Sequence, residues 1–329
     1  MIGSPIYTKS FWGKGACNNN AGWGIIYRPF AGCSAVPALL VLLQARATYY
    51  ENATCTTATL DELENIQYTA PIVPVGLLAS YPNASAAYSL RNLIDTTTNV
   101  VRVRRSTDNA EQDFSATQIT DGTLTTFTGA NNGFVTTWYD QSGNSNNAAQ
   151  AAAANQPKLV SSGVVELDNG KPCLNYDTTG NDSFDLATLI SNARTVFQTL
   201  NFKGFGGNNA QFVLGASSYA DYHSSGSGTY NQAILSAQYA ASYVKNGSNA
   251  INGATVDFLT NTKTTLTSQI LITMLHTSSS GRFNQISKDR GNLGRSLKGN
   301  LQEIIVYSTD QSANITGIET NINNEYTIY

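Results

Sequence analysis

The chain has 329 residues, with 19 basic and 22 acidic side chains and a formal net charge of −3. That balance argues against a nucleic-acid protein working through a broad basic face, and charged residues are only 12% of the chain, about half the usual share. Hydrophobic residues are 41%, including 17 Tyr, 12 Phe and 3 Trp, enough to pack a core and to exclude wholesale disorder.

Residues 1–76 read as a small α+β module and linker. Tyr7 to Tyr27 carries aromatics and glycines (Phe11, Trp12, Gly13, Gly22, Trp23, Gly24) and suggests short strands joined by turns. Ser34 can cap a following helix whose first turn holds Pro37. Leu39, Leu42, Leu43 and Arg46 keep helical spacing within Ala38 to Asn52. A short acidic helix, Leu60 to Ile66, follows, and Pro71, Pro74 and Gly76 mark a boundary. The start shows no basic stretch followed by an apolar run, so no export signal is expected. The longest apolar run, Ala35 to Leu43, has nine residues, against the ~20 that span a bilayer.

From about residue 77 the period changes to two, and residues 77–329 read as one mainly β, antiparallel sandwich. Val100 to Arg104 and Phe134 to Tyr139 alternate. Further strands are expected at Gly163 to Leu167, Cys173 to Tyr176, Thr195 to Phe202, Gln211 to Leu214, Ile234 to Val244, Ser268 to Leu275 and Leu301 to Tyr307. Tyr88 to Ile94 reads as a short helix, and Ala148 to Ala154 as an alanine-rich loop. Ser312 to Tyr326 reads as a closing helix with Ile315, Ile318 and Ile322 on one face. The absence of βαβ alternation argues against a Rossmann or barrel enzyme.

Few residues carry chemistry. His223 and His276 have no second His or Cys at ligand spacing, so neither metal nor cofactor is expected. Cys17, Cys33 and Cys55 allow one bridge in an oxidising milieu and leave one thiol over, while Cys173 is alone. The strongest local signal is Trp138-Tyr139-Asp140-Gln141-Ser142-Gly143-Asn144, which follows a strand. Its Asp, Ser and Asn side chains suit bonds to nearby backbone amides. It reads either as a turn pinning two sheet edges, the favoured reading, or as a cation or sugar contact through Asp140 and Asn144. Arg102, Arg104 and Arg105 form a candidate interface for an anionic partner, with pairing of Arg105 to Asp108 or Asp113 as the plainer reading. Glu303 is read as alternating away from Leu301 and Ile305, so it either faces solvent or needs a buried partner. Glycosidase chemistry needs two carboxylates facing one cleft. The candidates Asp168, Asp177, Asp182, Asp185, Asp221 and Glu303 show no diagnostic spacing.

The stretch from Tyr88-Ser89-Leu90-Arg91 through Val103-Arg104-Arg105-Ser106 and the Trp138–Asn144 segment resembles a concanavalin A-like (laminin-G/lectin-type) jelly roll. Gln156-Pro157, Gly170-Lys171-Pro172 and Gly299 to Tyr307 continue the match. That version of the fold occurs in structural proteins of phages infecting Bacteroidetes, including crAss-like phages. The Tyr-Asp-Gln-Ser-Gly-Asn segment is also similar to one in family 54 α-L-arabinofuranosidases. The place of that family's nucleophilic glutamate is nearest to Gln232-Ala233-Ile234-Leu235-Ser236, which has none. Residues 7–55 resemble a small module found beside adhesive or fibre domains, through Phe11, Cys17-Asn18-Asn19-Asn20, Ala31-Gly32-Cys33, Gln44-Ala45 and Asn52-Ala53-Thr54-Cys55.

The resemblance implies a virion structural protein that is no enzyme: a spike, head fibre or decoration. Its N-terminal module would dock on a capsid or tail protein, and its jelly roll would be exposed to host-surface glycans. A homo-oligomer, with a trimer as the specific expectation, would follow. A glycoside hydrolase of the arabinofuranosidase type and a secreted bacterial lectin or adhesin are the alternatives.

Overall fold

The computed structural model describes residues 76–96, 98–176, 181–203, 213–224, 233–266 and 268–329. The expected N-terminal module, its three cysteines and Asp177 lie outside them. The described part is mainly β and antiparallel. In chain order the strands are β1 (Ala84–Ser89), β2 (Asn99–Arg105), β3 (Glu111–Ser115), β4 (Gly133–Trp138), β5 (Ala148–Ala149) and β6 (Lys158–Ser161). Then come β7 (Val164–Val165), β8 (Leu167–Asp168), β9 (Lys171–Pro172), β10 (Leu174–Tyr176), β11 (Phe184–Ala193) and β12 (Thr195–Phe202). The remaining strands are β13 (Leu214–Gly215), β14 (Ser248–Ile251), β15 (Ala254–Thr255), β16 (Ile270–Leu275), β17 (Gly281–Ile286) and β18 (Gly299–Tyr307). Five short α-helices accompany them: α1 (Leu77–Ser80), α2 (Ala116–Thr120), α3 (Thr123–Thr128), α4 (Ser242–Lys245) and α5 (Ile315–Tyr326).

One continuous sheet runs β13-β17-β11-β5-β4-β6-β10-β18-β12-β16-β14-β15 and curls into a sandwich. β12 lies between β16 and β18, and all eight of its residues are buried. Its alternation sorts side chains to two faces. Val196, Leu200 and Phe202 enter the main core with Trp138, Phe184, Ile272, Phe283, Ile304 and Val306. Phe197 points the other way and joins Leu271, Ile305 and Tyr307 under α5 and α1. α5 buries Ile318, Ile322 and Tyr326 there, the face its spacing indicates. Trp138 is fully buried, with its ring centroid 5.7 Å from Tyr88 and 6.3 Å from Phe184.

Three sequence expectations are corrected. Tyr88 belongs to β1, with bends rather than a helix after it. Its neighbours Ala86 and Ala87 pair with Val306 and Ile305, and tertiary pairing overrides the local helical spacing. Ile234 to Val244 is no strand. After one bridge, Ala233 to Thr262, the chain turns at Ser236 and enters α4. Ala148-Ala149, expected in a loop, forms β5 between β4 and β11.

Candidate functional site

The Trp138–Asn144 segment is a hub of bonds within the chain. Asp140 Oδ1 accepts the Ala87 and Ser142 amides at 2.9 Å each. Its Oδ2 accepts the Ser142 hydroxyl at 2.8 Å and the Asn146 amide at 3.0 Å. Gln141 is buried; its Oε1 accepts the Leu93 amide, and its Nε2 donates to the Ser89 and Arg91 carbonyls. Asn144 Nδ2 donates to the carbonyls of Ala84 and Ser85. Gly143 takes φ 90°, the left-handed turn this network requires. The geometry is that of a turn fastening β1 to the end of β4.

The three arginines of β2 are also engaged. Arg102 forms a two-pronged pair with Asp113 at 2.7 and 2.9 Å, and Tyr139 donates its hydroxyl to the same carboxylate. Arg102 and Tyr139 together hold Asp113 below the usual carboxylate range. Arg104 is buried against Gln156, Asn109 and the Phe134 ring. Arg105 pairs with Asp108, whose carboxyl it holds down at about 2, and donates to the Phe127 carbonyl.

Glu303 has the buried partner that the sequence allowed for, and its face is what the structure corrects. The β12–β18 register shifts between Thr199–Glu303 and Leu200–Leu301, so Gln302 is an extra residue in β18. This bulge turns Glu303 onto the face of Ile305 and Tyr307, away from Leu301. There Arg91 binds both its oxygens, at 2.8 and 3.0 Å, and the hydroxyls of Ser89 and Tyr326 reach Oε2. Glu303 is 1% exposed. Burial works against the Arg91 charge, but Glu303 outweighs it and raises the pKa. This is a closed structural clasp.

The other carboxylate candidates do not meet in one cleft. Asp168 sits on the β8–β9 hairpin, accepting from Asn201 and Asn300. Asp182 is buried beside β11, and Asp185 on β11 pairs with Lys288. Asp221 leads to a different place.

One pole of the sandwich, spread along β17 and the segment beside it, gathers Asp221 and His223, which the sequence singled out, with polar and aromatic groups that it did not mark. The segment 216–223 runs beside β17 and the turn after it: the Ser287 amide donates to the Val213 carbonyl, and the Arg290 amide to that of Ala216. Asp221, 5% exposed, receives Arg282 through Nε at 2.9 Å, Nη2 at 3.0 Å and the backbone amide at 3.0 Å. Tyr243 donates its hydroxyl to the same carboxylate, and burial with Asp221 raises the phenol pKa. Arg282 lies over the Tyr219 ring at 3.7 Å. Beyond β17, Asp289 is 1% exposed; its Oδ2 accepts Arg290 at 3.1 Å and Arg295 at 2.6 Å. Its buried Oδ1 has no partner among the described residues. Arg290 Nη2 lies 3.3 Å from His223 Nε2, and His223 Nδ1 lies 2.8 Å from the Ser224 carbonyl. That fixes a neutral ring with hydrogen on Nδ1, and burial lowers its pKa. Tyr239, 55% exposed, sits 4.9 Å from the His223 ring.

Asp221 and Asp289 are thus linked through His223, two residues after one, and Arg290, next to the other. Among the described residues no group of three or more His, Cys, Asp or Glu side chains comes together as a metal site. No described helix is long and apolar enough to cross a membrane.

No family model and no curated protein matches the chain. Solved structures do. An arabinofuranosidase complexed with arabinofuranosyl-α-1,2-xylobiose is 13% identical with a TM-score of 0.47. A family 54 α-L-arabinofuranosidase soaked with a cyclic sulfate inhibitor is 13% identical with a TM-score of 0.44. A mutant of a family 54 α-L-arabinofuranosidase soaked with 4-nitrophenyl α-L-arabinofuranoside is 13% identical with a TM-score of 0.45. Each alignment covers 75% of this chain and 63% of the other. The expectation that the chain is no enzyme is withdrawn: each of these solved structures is an arabinofuranosidase.

Proposed function

We propose that the chain is a carbohydrate-directed sandwich of glycoside-hydrolase type, which takes a saccharide at the pole formed by residues 216–223 and 282–295. The observation that carries this reading is the pairing of exposed or half-exposed aromatic rings, Tyr219 and Tyr239, with two buried carboxylates, Asp221 and Asp289. Rings of this kind stack on sugar faces, while fixed side chains hydrogen-bond the hydroxyls. Asp289 is the carboxylate with capacity left, through Oδ1. Asp221 holds Arg282 over Tyr219 and acts as a positioning residue. Bond cleavage needs a second carboxylate. The candidate for it is Asp221, linked to Asp289 through His223 and Arg290.

The test is release of reducing sugar from arabinan, arabinoxylan and a panel of other polysaccharides by the full chain and by Asp289→Asn. The reading expects release by the first and its loss in the variant, assayed at a temperature where circular dichroism shows the variant still folded. Retention on a polysaccharide gel without release would reduce the proposal to binding. Neither release nor retention would end it. What supports a setting on a phage particle is the sequence resemblance of residues 80–329, and a carbohydrate-directed sandwich suits contact with a host surface. Mass spectrometry of purified particles tests that setting; absence of the chain from them removes it.

A further inference from the structure

The saccharide-binding pole carries a feature that a neutral sugar does not require. Three arginines reach solvent there, with side chains 36–39% exposed, and each is held by a buried aspartate. Asp221 holds Arg282; Asp289 holds both Arg290 and Arg295. An exposed ion pair between two mobile chains orders little. Here one partner of each pair is 1–5% exposed, so the guanidiniums are anchored from beneath.

The anchoring does not exhaust them. Arg282 Nη1, Arg290 Nη1 and Arg295 Nε and Nη2 make no hydrogen bond among the described residues. Three cations also stand over two anions, in a chain whose net charge is −3. The excess positive charge is therefore local to this pole.

The backbone adds a second observation. Asp289 and Asn292 bridge around a two-residue turn with Arg290 at φ 49° and Gly291 at φ 75°. Both values are left-handed, the geometry in which Asn-Gly and Asp-Gly are preferred. The chain uses Asn-Gly in the same geometry at Asn169-Gly170 and Asn252-Gly253. An arginine is disfavoured there, and Arg290 is exposed, so it is not held by the core. Its side chain instead folds back to Asp289 and His223. A disfavoured backbone that serves to place a charged side chain is the kind of strain found at ligand sites.

We propose that this pole recognises a saccharide bearing an anionic group, a uronate carboxylate or a sulfate ester. Arg290 and Arg295 make the charged contact, and Tyr219 and Tyr239 stack against the flanking rings. A planar guanidinium matches the paired oxygens of either group better than an ammonium does. The inference rests on the reading that the pole takes a saccharide.

The experiment is affinity electrophoresis of the full chain through gels holding dextran, dextran sulfate, polygalacturonate or fully methyl-esterified pectin. The two pairs share backbones, so they separate sulfate from carboxylate and both from neutral sugar. The informative variant is Arg290→Gly, because glycine suits the turn and only the guanidinium is lost. Retardation by one or both anionic gels is expected, weakening as salt rises. Arg290→Gly should weaken it about tenfold, a contact of about 1.4 kcal/mol, without lowering the melting temperature. Arg102→Gln, which removes a positive charge elsewhere, should leave it unchanged. Equal retardation by charged and neutral gels, or an Arg102→Gln effect matching Arg290→Gly, overturns the anionic class while the saccharide reading stands. Retardation by none of the gels, together with no sugar release from any polysaccharide, overturns both.

Discussion

Glu303 and Asp289 are both 1% exposed, and both are gripped by arginine. At Glu303 both oxygens bind Arg91, whose side chain is 17% exposed, and the Ser89 and Tyr326 hydroxyls complete the shell beneath α5. At Asp289 one oxygen serves two arginines that extend into solvent, and the other oxygen is unpartnered among the described residues. Burial of a carboxylate therefore does not distinguish a site from a clasp. What distinguishes them is whether the partner cation ends inside the protein or at its surface. The clasp joins β1, β18 and α5; the pole presents charge on a pinned scaffold.

The sharpest way to break this contrast is Glu303→Gln. Removing one partner of a buried pair strands the other, and the expected loss is about 3–5 kcal/mol of folding stability, measured by denaturant unfolding. Saccharide retention by the remaining folded protein should be unchanged. If Glu303→Gln is harmless to stability yet abolishes retention, the two regions have been assigned the wrong way round.

His276 gives the next largest effect. It is 1% exposed, Nδ1 donates to the Ala193 carbonyl, and Nε2 has no partner among the described residues. Burial lowers its pKa to about 4 from 6.5. The folded state holds the neutral form, so the unfolded state binds the proton first. Its contribution is complete above about pH 6.5 and is lost as pH falls toward about 4, with a span of about 3 kcal/mol. Comparing the pH dependence of stability in wild type and His276→Gln checks this; parallel curves over that window would contradict it.

Asp140→Ala removes the acceptor of three amides and one hydroxyl. A loss of about 2 kcal/mol is expected, seen as faster hydrogen exchange at Ala87, Ser142 and Asn146. Sugar retention should survive; its specific loss would move the site to the Trp138–Asn144 turn. The smallest effect belongs to Arg102→Gln. That pair is exposed, with side chains at 43% and 28%, so less than about 1 kcal/mol should change in thermal unfolding.

The legible parts of this fold were those in which local chemistry and tertiary role agree. β2, β4, β12, β16 and β18 are rich in β-branched or aromatic residues and are buried in the sandwich. The Asp140-Gln141-Ser142-Gly143-Asn144 turn is legible because Asp140 and Ser142 satisfy amides two residues on, at Ser142 and Asn144. β11 and β17 were missed because polar residues interrupt them: β17 reads Gly-Arg-Phe-Asn-Gln-Ile. The face of Glu303 was half misread: residues two apart in a strand share a face, so Glu303 lies with Ile305, and only the extra residue at Gln302 sets it away from Leu301. The pole left little local trace. Asp221 and Arg282 are 61 positions apart, as long-range ion pairs are free to be. Asp289-Arg290-Gly291-Asn292 did carry a turn signature, and it was the available clue.

Hydrogen exchange of the full chain, with and without a saturating polysaccharide that it retains, tests the central claim most directly. The account predicts protection at residues 216–224 and 286–295, and none at β1 or α5. Protection confined to the Glu303 side, or to the Trp138–Asn144 turn, would contradict it.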